Sequence, residues 1–175
     1  MKPMRKTIDP ERFSLRVIHT FGQRWMLLTA GDKKSFNTMT ISWGTIGMIW
    51  SKPAAMVVVR PSRYTFQFME QGQDFTLCVL PEKFKKQLTM IGSRSGRDGD
   101  KIKASGLKVI SSEVVKAPAF DEAELIIECR KLYSDDIKPA RFIDPGIETN
   151  YGGKDYHRLY GGEIVHLEAM AEYEA

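Results

Sequence analysis

Short hydrophobic runs separated by turn-forming residues dominate the pattern of this chain. Residues 25–30 (WMLLTA) form an apolar run that a Gly-Asp-Lys-Lys segment closes, which predicts a buried strand entering a turn. Residues 36–43 (FNTMTISW) alternate in character and include several β-branched side chains, which predicts a strand with two different faces. The continuous run 54–59 (AAMVVV) ends at Arg60 and is typical of a central strand.

Two segments predict helices beside these strands. The first helix begins with Ser62 as its N-cap, runs for about ten residues and ends at Gly72. A strand is predicted over 75–80 (FTLCVL). The second helix opens at Pro81, ends at Gly92 and places three apolar residues on one face: Phe84, Leu88 and Ile91.

The second half of the chain predicts further strands. Residues 93–100 (SRSGRDGD) form a loop by composition, and a single helical turn follows at 101–105. Strands are predicted around 107–110 and 113–116, within 120–133 and over 163–170. About seven strands with only two clear helices predict a mainly β fold with peripheral helices, built as a closed or partly closed antiparallel barrel.

Composition fits an ordinary globular protein. The 175 residues are 42% hydrophobic and 27% charged, so we expect one domain over 1–175 with its core at about 25–170. The 26 basic and 22 acidic residues give a net charge of +4 and are scattered along the chain. This excess is too small and too dispersed for a dedicated nucleic-acid binder, but it allows a local site for an anion such as phosphate.

Cysteine usage and hydropathy indicate the cellular compartment. Cys78 and Cys129 lie far apart in apolar surroundings, which favours two buried thiols over a zinc site or a redox dithiol. No stretch approaches the roughly 20 apolar residues of a membrane span. We therefore expect a cytoplasmic protein without membrane association.

Three segments concentrate small polar and basic side chains: 37–43, 60–65 and 93–101. The second places Arg60, Ser62, Arg63 and Thr65 around a helix N-terminus, where unpaired N–H groups and a partial positive charge favour a phosphate. The alternative is a capped helix with solvated arginines. Basic residues in the loop 93–101 are weak evidence alone, because exposed basic loops are common.

The segment 37–43 offers two different faces. Thr38, Thr40 and Ser42 lie on one side of the strand, and the other side carries Asn37, Met39, Ile41 and Trp43. Hydroxyls beside an aromatic ring can hold a polyol chain and a flat ring. The alternative is a half-solvated strand whose threonines reflect β propensity.

No residue pattern of a catalytic centre is evident. The chain lacks a phosphate-binding glycine-rich loop, a dinucleotide fingerprint, a zinc-protease helix and a serine elbow. The three histidines, His19, His157 and His166, are too scattered for a triad or a metal cage, so no metal site is expected. His157 lies among several tyrosines, where packing is favoured over catalysis. Ligand-binding segments without an acid, base or nucleophile indicate that a cofactor carries the chemistry.

Taken in series, NTMTISWG (37–44), KPAAMVVVRPSRYT (52–65) and SRSGRDGDK (93–101) closely resemble the flavin reductase-like, FMN-binding split-barrel family, particularly its flavoredoxin-like branch. The resemblance extends from about Trp25 to the last strand near Met170. It implies an FMN-binding split β-barrel.

The resemblance also implies site residues, and it assigns no catalytic residue. The ribityl chain and isoalloxazine would lie along Asn37, Thr38, Met39, Thr40, Ser42 and Trp43. The phosphate would be held by Arg60, Ser62, Arg63 and Thr65. The third segment would close over the ligand with Ser93, Ser95, Gly96 and Lys101.

The function implied by the resemblance is electron or hydride transfer through FMN, either as an NAD(P)H-dependent flavin reductase or as a flavoredoxin-like electron carrier. The electron donor would be NAD(P)H or a protein. A homodimer with flavin at its interface is implied as well, so that residues 151–160 of one subunit approach the flavin of the other. The alternative is a flavin-binding module without turnover.

Overall fold

An antiparallel sheet is the main element of the computed structural model, which describes residues 4–175. Eight strands form it in the order β3-β2-β6-β9-β10-β5-β4, with β1 also paired to β10, and β7 pairs with β8 as a separate ribbon. The strands are β1 Lys6–Thr7, β2 Met26–Gly31, β3 Phe36–Ile41, β4 Gly44–Ile49, β5 Lys52–Val59, β6 Asp74–Val79, β7 Val109–Ile110, β8 Ala119–Phe120, β9 Leu125–Asp136 and β10 Arg158–Ala169.

Short helices lie around the sheet. The α-helices are α1 Val17–His19, which a π-helical turn Thr20–Arg24 continues, α2 Tyr64–Gln71, α3 Lys85–Ser93 and α4 Lys101–Ser105. Short 3₁₀ segments are found at Pro10–Arg12, Glu82–Phe84, Pro139–Arg141, Pro145–Asn150 and Ala171–Tyr173. Within residues 4–175, none of the helices has the length and apolar character needed to cross a membrane.

The sheet curls into a partly closed barrel. Strands β3 and β4 are its two edges, yet only Ser42 and Trp43 separate them in the chain. Three peptide steps from Ile41 to Gly44 span at most about 11 Å, so the opposite edges of the sheet come close together. No ladder joins these two strands in the described part of the chain. The mainly β fold with peripheral helices and a split barrel is confirmed.

Alternation along the strands produces two apolar layers. The barrel interior contains Leu28, Leu77 and Ile127, which are fully buried and lie side by side on β2, β6 and β9. The residues next to them in the chain face the outer side of the sheet: Leu27, Cys78 and Ile126. These side chains pack against Leu88 and Ile91 of α3. Gly162 is required inside, because a Cβ there would lie 2.7 Å from the ring of Phe75.

Two local predictions were wrong. Residues 113–116 form no strand, because the N–H groups of Glu113, Val114 and Val115 all donate to the buried carboxylate of Glu128. The partner of β7 is therefore β8. Helix α3 does not stop at Gly92 but runs on to Ser93.

Gly92 has a packing role in α3. A Cβ on this residue would lie 3.1 Å from Cβ of Thr40, so the glycine allows α3 to lie close against β3. The same contact brings the end of α3, and the loop that follows it, to the strand that carries the first candidate segment.

Candidate functional site

A cavity of about 240 Å³ lies where β3, the start of α2 and the loop 93–101 meet. We call it the basic cavity. It brings together residues from all three predicted segments: Asn37, Met39, Ser62, Arg63, Thr65, Ser93, Ser95 and Lys101. Tyr64, Arg94 and Arg97 complete the lining. None of these lining residues is acidic.

Asn37 contacts both of the other segments. Its side chain is buried, and Nδ2 donates to the Thr65 hydroxyl at 2.7 Å, which ties β3 to α2. Gly96 packs directly against the same asparagine, since a Cβ at Gly96 would lie only 2.3 Å from Oδ1 of Asn37. The absence of a side chain at Gly96 therefore lets the loop approach β3.

Two cations line the basic cavity. The Lys101 side chain is buried, and its ammonium donates to the carbonyls of Ile91 and Arg94, both at 3.0 Å. Burial and the charge of Arg63 lower the pKa of Lys101 to about 8. Arg63 donates to the Gly92 carbonyl at 2.7 Å, and its own pKa is lowered by burial and by Arg60, although the charge of Asp155 partly opposes this lowering. Neither cation has a carboxylate hydrogen-bond partner among the described residues.

The N-terminus of α2 opens into this cavity without a capping side chain. Arg63 occupies the N-cap position, so the prediction of Ser62 as N-cap was wrong. The backbone N–H and the hydroxyl of Ser62 instead donate to the carboxylate of Asp155, at 2.9 and 2.5 Å. The first turn of α2 thus retains N–H groups that could donate hydrogen bonds to an external anion.

Arg97 adds a further positive charge at the mouth of the basic cavity. Its guanidinium lies 5.0 Å from the centre of the Tyr64 ring and donates to the Ser62 carbonyl at 3.1 Å. The side chain is exposed, so its charge is available to a ligand from the solvent side.

A second cavity of about 230 Å³ continues along β3 and shares Met39 with the first. We call it the Trp43 cavity. Its other lining residues are Thr40, Ile41, Ser42, Trp43, Val58, Arg60 and His157. Trp43 is 44% exposed, so one side of this cavity is open to solvent.

Arg60 belongs to the Trp43 cavity and not to the basic cavity. Its guanidinium donates to the Asn150 carbonyl at 2.7 Å and lies 5.0 Å from the centre of the Tyr151 ring. Arg60 and Arg63, which were predicted to hold the same group, thus line different cavities, although the two side chains are close enough for Arg60 to lower the pKa of Arg63.

His157 closes the inner end of the Trp43 cavity. The ring is buried, lies 5.1 Å from the Trp43 ring and shares a 3.0 Å hydrogen bond between Nδ1 and the Tyr151 hydroxyl. Burial, with the nearby charge of Arg60, lowers the pKa of His157 to about 4. The imidazole is consequently neutral near pH 7.

The hydroxyls of β3 do not line the basic cavity. The Thr38 hydroxyl is fully buried, donates to the Leu28 carbonyl at 3.1 Å and accepts from Thr29 at 3.0 Å. The Thr40 hydroxyl donates to the Leu88 carbonyl at 2.6 Å. The face with Asn37 and Met39 meets the basic cavity instead, while Thr40 and Ser42 contribute to the Trp43 cavity.

Sequence reasoning missed several residues that shape these cavities. Arg97 and Tyr64 lie inside the quoted motifs, so their motif membership was an available signal. Asp155 had no local signal, because its partner Ser62 is 93 residues away. Within residues 4–175, no group of three or more His, Cys, Asp or Glu side chains could hold a metal ion.

Comparison with known proteins identifies the family. The model of the flavin reductase like domain matches residues 18–174, and the chain belongs to this family. An uncharacterized protein of Pyrococcus abyssi is 25% identical over 147 residues, covering 83% of this chain and 73% of the relative. The uncharacterized protein YddH of Escherichia coli is 29% identical over 130 residues, covering 73% of this chain and 65% of the relative.

Solved structures share the fold. An FMN-binding domain of a flavin reductases-like enzyme from Shewanella baltica has a TM-score of 0.69 at 16% identity, covering 97% of this chain and 78% of its own. Flavoredoxin from Methanosarcina acetivorans has a TM-score of 0.68 at 22% identity, covering 87% of this chain and 71% of its own. At these identities the likeness establishes the architecture.

Proposed function

We propose that this chain binds FMN along β3 and transfers electrons or a hydride through it. The phosphate would occupy the basic cavity, and the isoalloxazine would occupy the Trp43 cavity. The observation that carries the proposal is a cavity that brings Lys101, Arg63 and the uncapped N-terminus of α2 together without an acidic lining residue.

A phosphate dianion fits this arrangement chemically. Bringing two cations together in a partly buried space is unfavourable until an anion enters between them. The Lys101 ammonium has three N–H donors and uses two for carbonyls, so one remains for a phosphate oxygen. The uncapped first turn of α2 supplies backbone donors at the same place.

The Trp43 cavity suits a flat ring. Met39, Val58 and Trp43 supply apolar surface, while Arg60 places positive charge beside this space. A fixed cation favours a ligand that gains negative charge on reduction. His157 is neutral, so it adds packing and hydrogen-bonding capacity without a second charge. FMN, when bound, would accept a hydride or electrons from a donor and pass them to an acceptor.

A binding experiment tests the proposed cofactor. Protein freed of any bound flavin is titrated with FMN and with riboflavin, which lacks the phosphate, and binding is followed by flavin fluorescence. We expect FMN to bind at least about thirtyfold more tightly, because two or more charge-assisted contacts are lost with riboflavin. Equal affinities would contradict the phosphate placement, and no binding of either would overturn the proposal.

Turnover is tested separately. Oxidation of NADH and of NADPH is followed with free FMN as the acceptor. Consumption of either nucleotide would support a flavin reductase. If FMN binds but neither nucleotide is consumed, the protein acts with a protein electron donor or as a flavin-binding module.

A homodimer is proposed as well. Within residues 4–175, edge strand β4 pairs with β5 alone, and it leads into an exposed aromatic pair in which the ring centres of Trp50 and Tyr133 lie 6.0 Å apart. Met48 on the same strand is 70% exposed. These apolar side chains support burial against a second copy of the chain. Light scattering at micromolar concentration should give twice the chain mass, and a monomeric mass would contradict the dimer.

A further inference from the structure

The carboxylate of Asp155 occupies hydrogen-bond donors that lie between the basic cavity and the Trp43 cavity. It accepts from the backbone N–H of Ser62 at 2.9 Å and from the Ser62 hydroxyl at 2.5 Å. The Arg60 guanidinium lies 3.9 Å from the same carboxylate. Ser62 lines the basic cavity and Arg60 lines the Trp43 cavity, so one acidic side chain contacts residues of both.

The charge of Asp155 also acts on both cavities. Burial lowers the pKa of Arg63 in the basic cavity and of His157 in the Trp43 cavity, and in each case the charge of Asp155 opposes this lowering. A backbone N–H, a hydroxyl and a nearby guanidinium are donors that also suit a phosphate group. Asp155 therefore offers these donors an anionic partner that belongs to the chain itself.

The turn that carries Asp155 is held by contacts within its own segment. The Glu148 carboxylate accepts from the Gly153 N–H at 2.7 Å and from the Tyr156 hydroxyl at 2.9 Å. These contacts do not involve Ser62. The turn can therefore keep its own structure when Asp155 releases Ser62.

The backbone of this turn allows such a movement. Asp155 has a φ of 58°, in the left-handed region that is unfavourable for most residues with a side chain. Gly152 and Gly153 have φ of 60° and 81°, and glycine adopts either sign of φ readily. The contact with Ser62 therefore holds a segment that its two glycines allow to rearrange.

The same segment forms part of the Trp43 cavity. Tyr151 packs against the Arg60 guanidinium, and its hydroxyl shares a hydrogen bond with Nδ1 of His157. His157 follows Asp155 by two residues and lines the Trp43 cavity. A displacement of Asp155 is thus transmitted through a short stretch of chain to the wall of the proposed ring site.

We propose that Asp155 is a specificity-determining residue: it holds Ser62 in the free protein as an internal competitor, and a phosphate group displaces it. This inference rests on the proposed flavin site for the ligand that carries the phosphate. A phosphate dianion has more charge and more acceptor oxygens than a carboxylate, so it makes stronger contacts with the same donors. A ligand without such a group leaves Asp155 on Ser62.

Removing the carboxylate distinguishes an internal competitor from a permanent support for Ser62. Asp155→Asn keeps the side-chain shape and tolerates the left-handed backbone, but it replaces a charged acceptor by a neutral one. FMN affinity, measured by flavin fluorescence on flavin-free protein, should rise about fivefold, while riboflavin affinity stays within about twofold. A fall in FMN affinity would identify a permanent support and overturn the proposal.

Two further variants accompany this measurement. Asp155→Gly removes the side chain and suits a φ of 58°, so it should also raise FMN affinity. The matched control is Asp144→Asn, which makes the same change in charge at an exposed position of the same segment. The Asp144 carboxylate accepts from the Gly146 N–H, and the control should leave both flavin affinities within about twofold.

A double-mutant cycle with Ser62→Ala shows whether the hydroxyl changes partner. In the wild-type background this substitution removes one contact from the free protein and one from the bound protein, so FMN affinity should stay within about twofold. In the Asp155→Gly background the contact with phosphate is the one lost, so FMN affinity should fall about tenfold. If FMN affinity stays within twofold in both backgrounds, Ser62 does not contact the phosphate and the displacement is wrong.

Inorganic phosphate tests the displacement without flavin. Amide hydrogen exchange of residues 151–157 is followed by mass spectrometry on flavin-free protein, in phosphate and in chloride at equal ionic strength. Release of Asp155 should speed exchange of this segment about threefold or more in phosphate, whereas Asp155→Gly should exchange equally fast in both salts. Unchanged or slower exchange of the wild-type segment in phosphate would overturn the displacement.

The outcomes separate this proposal from the proposed function. If FMN binds, but neither Asp155 variant raises its affinity and phosphate leaves the exchange unchanged, Asp155 is not a competitor and the proposed function stands. If phosphate speeds the exchange of residues 151–157 while neither flavin binds, displacement of Asp155 by phosphate is supported and the proposed function is overturned.

Discussion

Two buried basic clusters in this protein differ in how their charge is balanced. In the first, Arg24 donates to the carbonyl of Leu80 at 2.8 Å and pairs with the Glu124 carboxylate at 2.5 Å, while the Tyr173 hydroxyl also contacts Glu124. Burial alone would lower the pKa of Arg24, but hydrogen bonding and charge from Glu124 raise it overall. In the basic cavity, Lys101 and Arg63 both have lowered pKa values.

The difference indicates which cluster serves the fold and which serves a ligand. Arg24 and Glu124 neutralise each other, so the charge of that cluster is balanced within the chain. Among the described residues, Lys101 and Arg63 donate to backbone carbonyls, and the charge of Asp155 offsets that of Arg63 only in part. The basic cavity therefore keeps positive charge that an anion from outside can balance. Four predictions test this contrast, from the largest expected effect to the smallest.

Removing the acid of the balanced cluster should be costly to stability. Glu124→Ala leaves Arg24 buried without its carboxylate, and we expect the free energy of unfolding to fall by about 3 kcal/mol. Denaturant unfolding measures this change. The control Glu172→Ala, at an exposed position nearby, should stay within about 0.5 kcal/mol. A loss below about 1 kcal/mol for Glu124→Ala would show that the pair is not structural.

Removing a cation of the basic cavity should instead cost ligand affinity. Lys101→Met is expected to weaken FMN binding about thirtyfold, because a charge-assisted contact to phosphate is lost. Riboflavin binding should stay within twofold. The free energy of unfolding should change by no more than about 1 kcal/mol, because loss of two carbonyl contacts is offset by removal of a buried charge. Lys86→Met, an exposed lysine, is the control, and an equal loss of riboflavin affinity would contradict the assignment.

The two arginines of the 60–65 segment offer a matched comparison. Arg63→Met should weaken FMN about tenfold and leave riboflavin unchanged, since Arg63 lines the basic cavity. Arg60→Met should weaken FMN and riboflavin by the same factor, since Arg60 lies beside the proposed ring site. Fluorescence titration of both flavins with both variants measures the effect. If Arg60→Met lowered the affinity for FMN but not for riboflavin, Arg60 would instead be assigned to the phosphate site.

The pH dependence should be the mildest effect. Lys101 in the free protein loses its proton around pH 8, so FMN affinity should fall above that pH, by at most about tenfold per unit. The stability of the free protein should change with pH in the opposite direction. Between pH 8 and the ordinary lysine pKa of 10.5, the unfolded chain binds more protons, so this group makes the folded state more stable as pH rises. Lys101→Met should remove both trends, and trends that persist in the variant belong to another group.

Strands with continuous apolar runs could be predicted from the sequence, because burial on both faces leaves a strong signal. Strand β4 was not predicted, and its hairpin turn explains why. The turn passes through Trp50 and Ser51 at φ of 52° and 56°, where glycine or asparagine is the usual signal. Trp50 and Ser51 adopt this conformation because β4 and β5 pair on either side of them.

For the candidate site, the three segments singled out in the sequence do meet at one cavity, but the sequence did not indicate which contacts each residue makes. Whether Arg60 and Ser62 face a ligand depends on contacts with Asn150 and Asp155, and no local pattern contains that information. Alternation along β3 correctly separated Thr38 from Asn37. It could not tell which face the helices would cover, because that choice is made by tertiary packing.

The order of the strands in the sheet has a consequence for biosynthesis. Strands β2 to β5 leave the ribosome as two hairpins before the strands that join them. Strand β2 pairs with β6 and β5 pairs with β10, while β9 lies between β6 and β10. The last of these strands ends at Ala169, so the barrel cannot be completed until the chain has been synthesised as far as this residue. Nascent chains should therefore remain protease-sensitive until β10 emerges, and then become resistant in a single step.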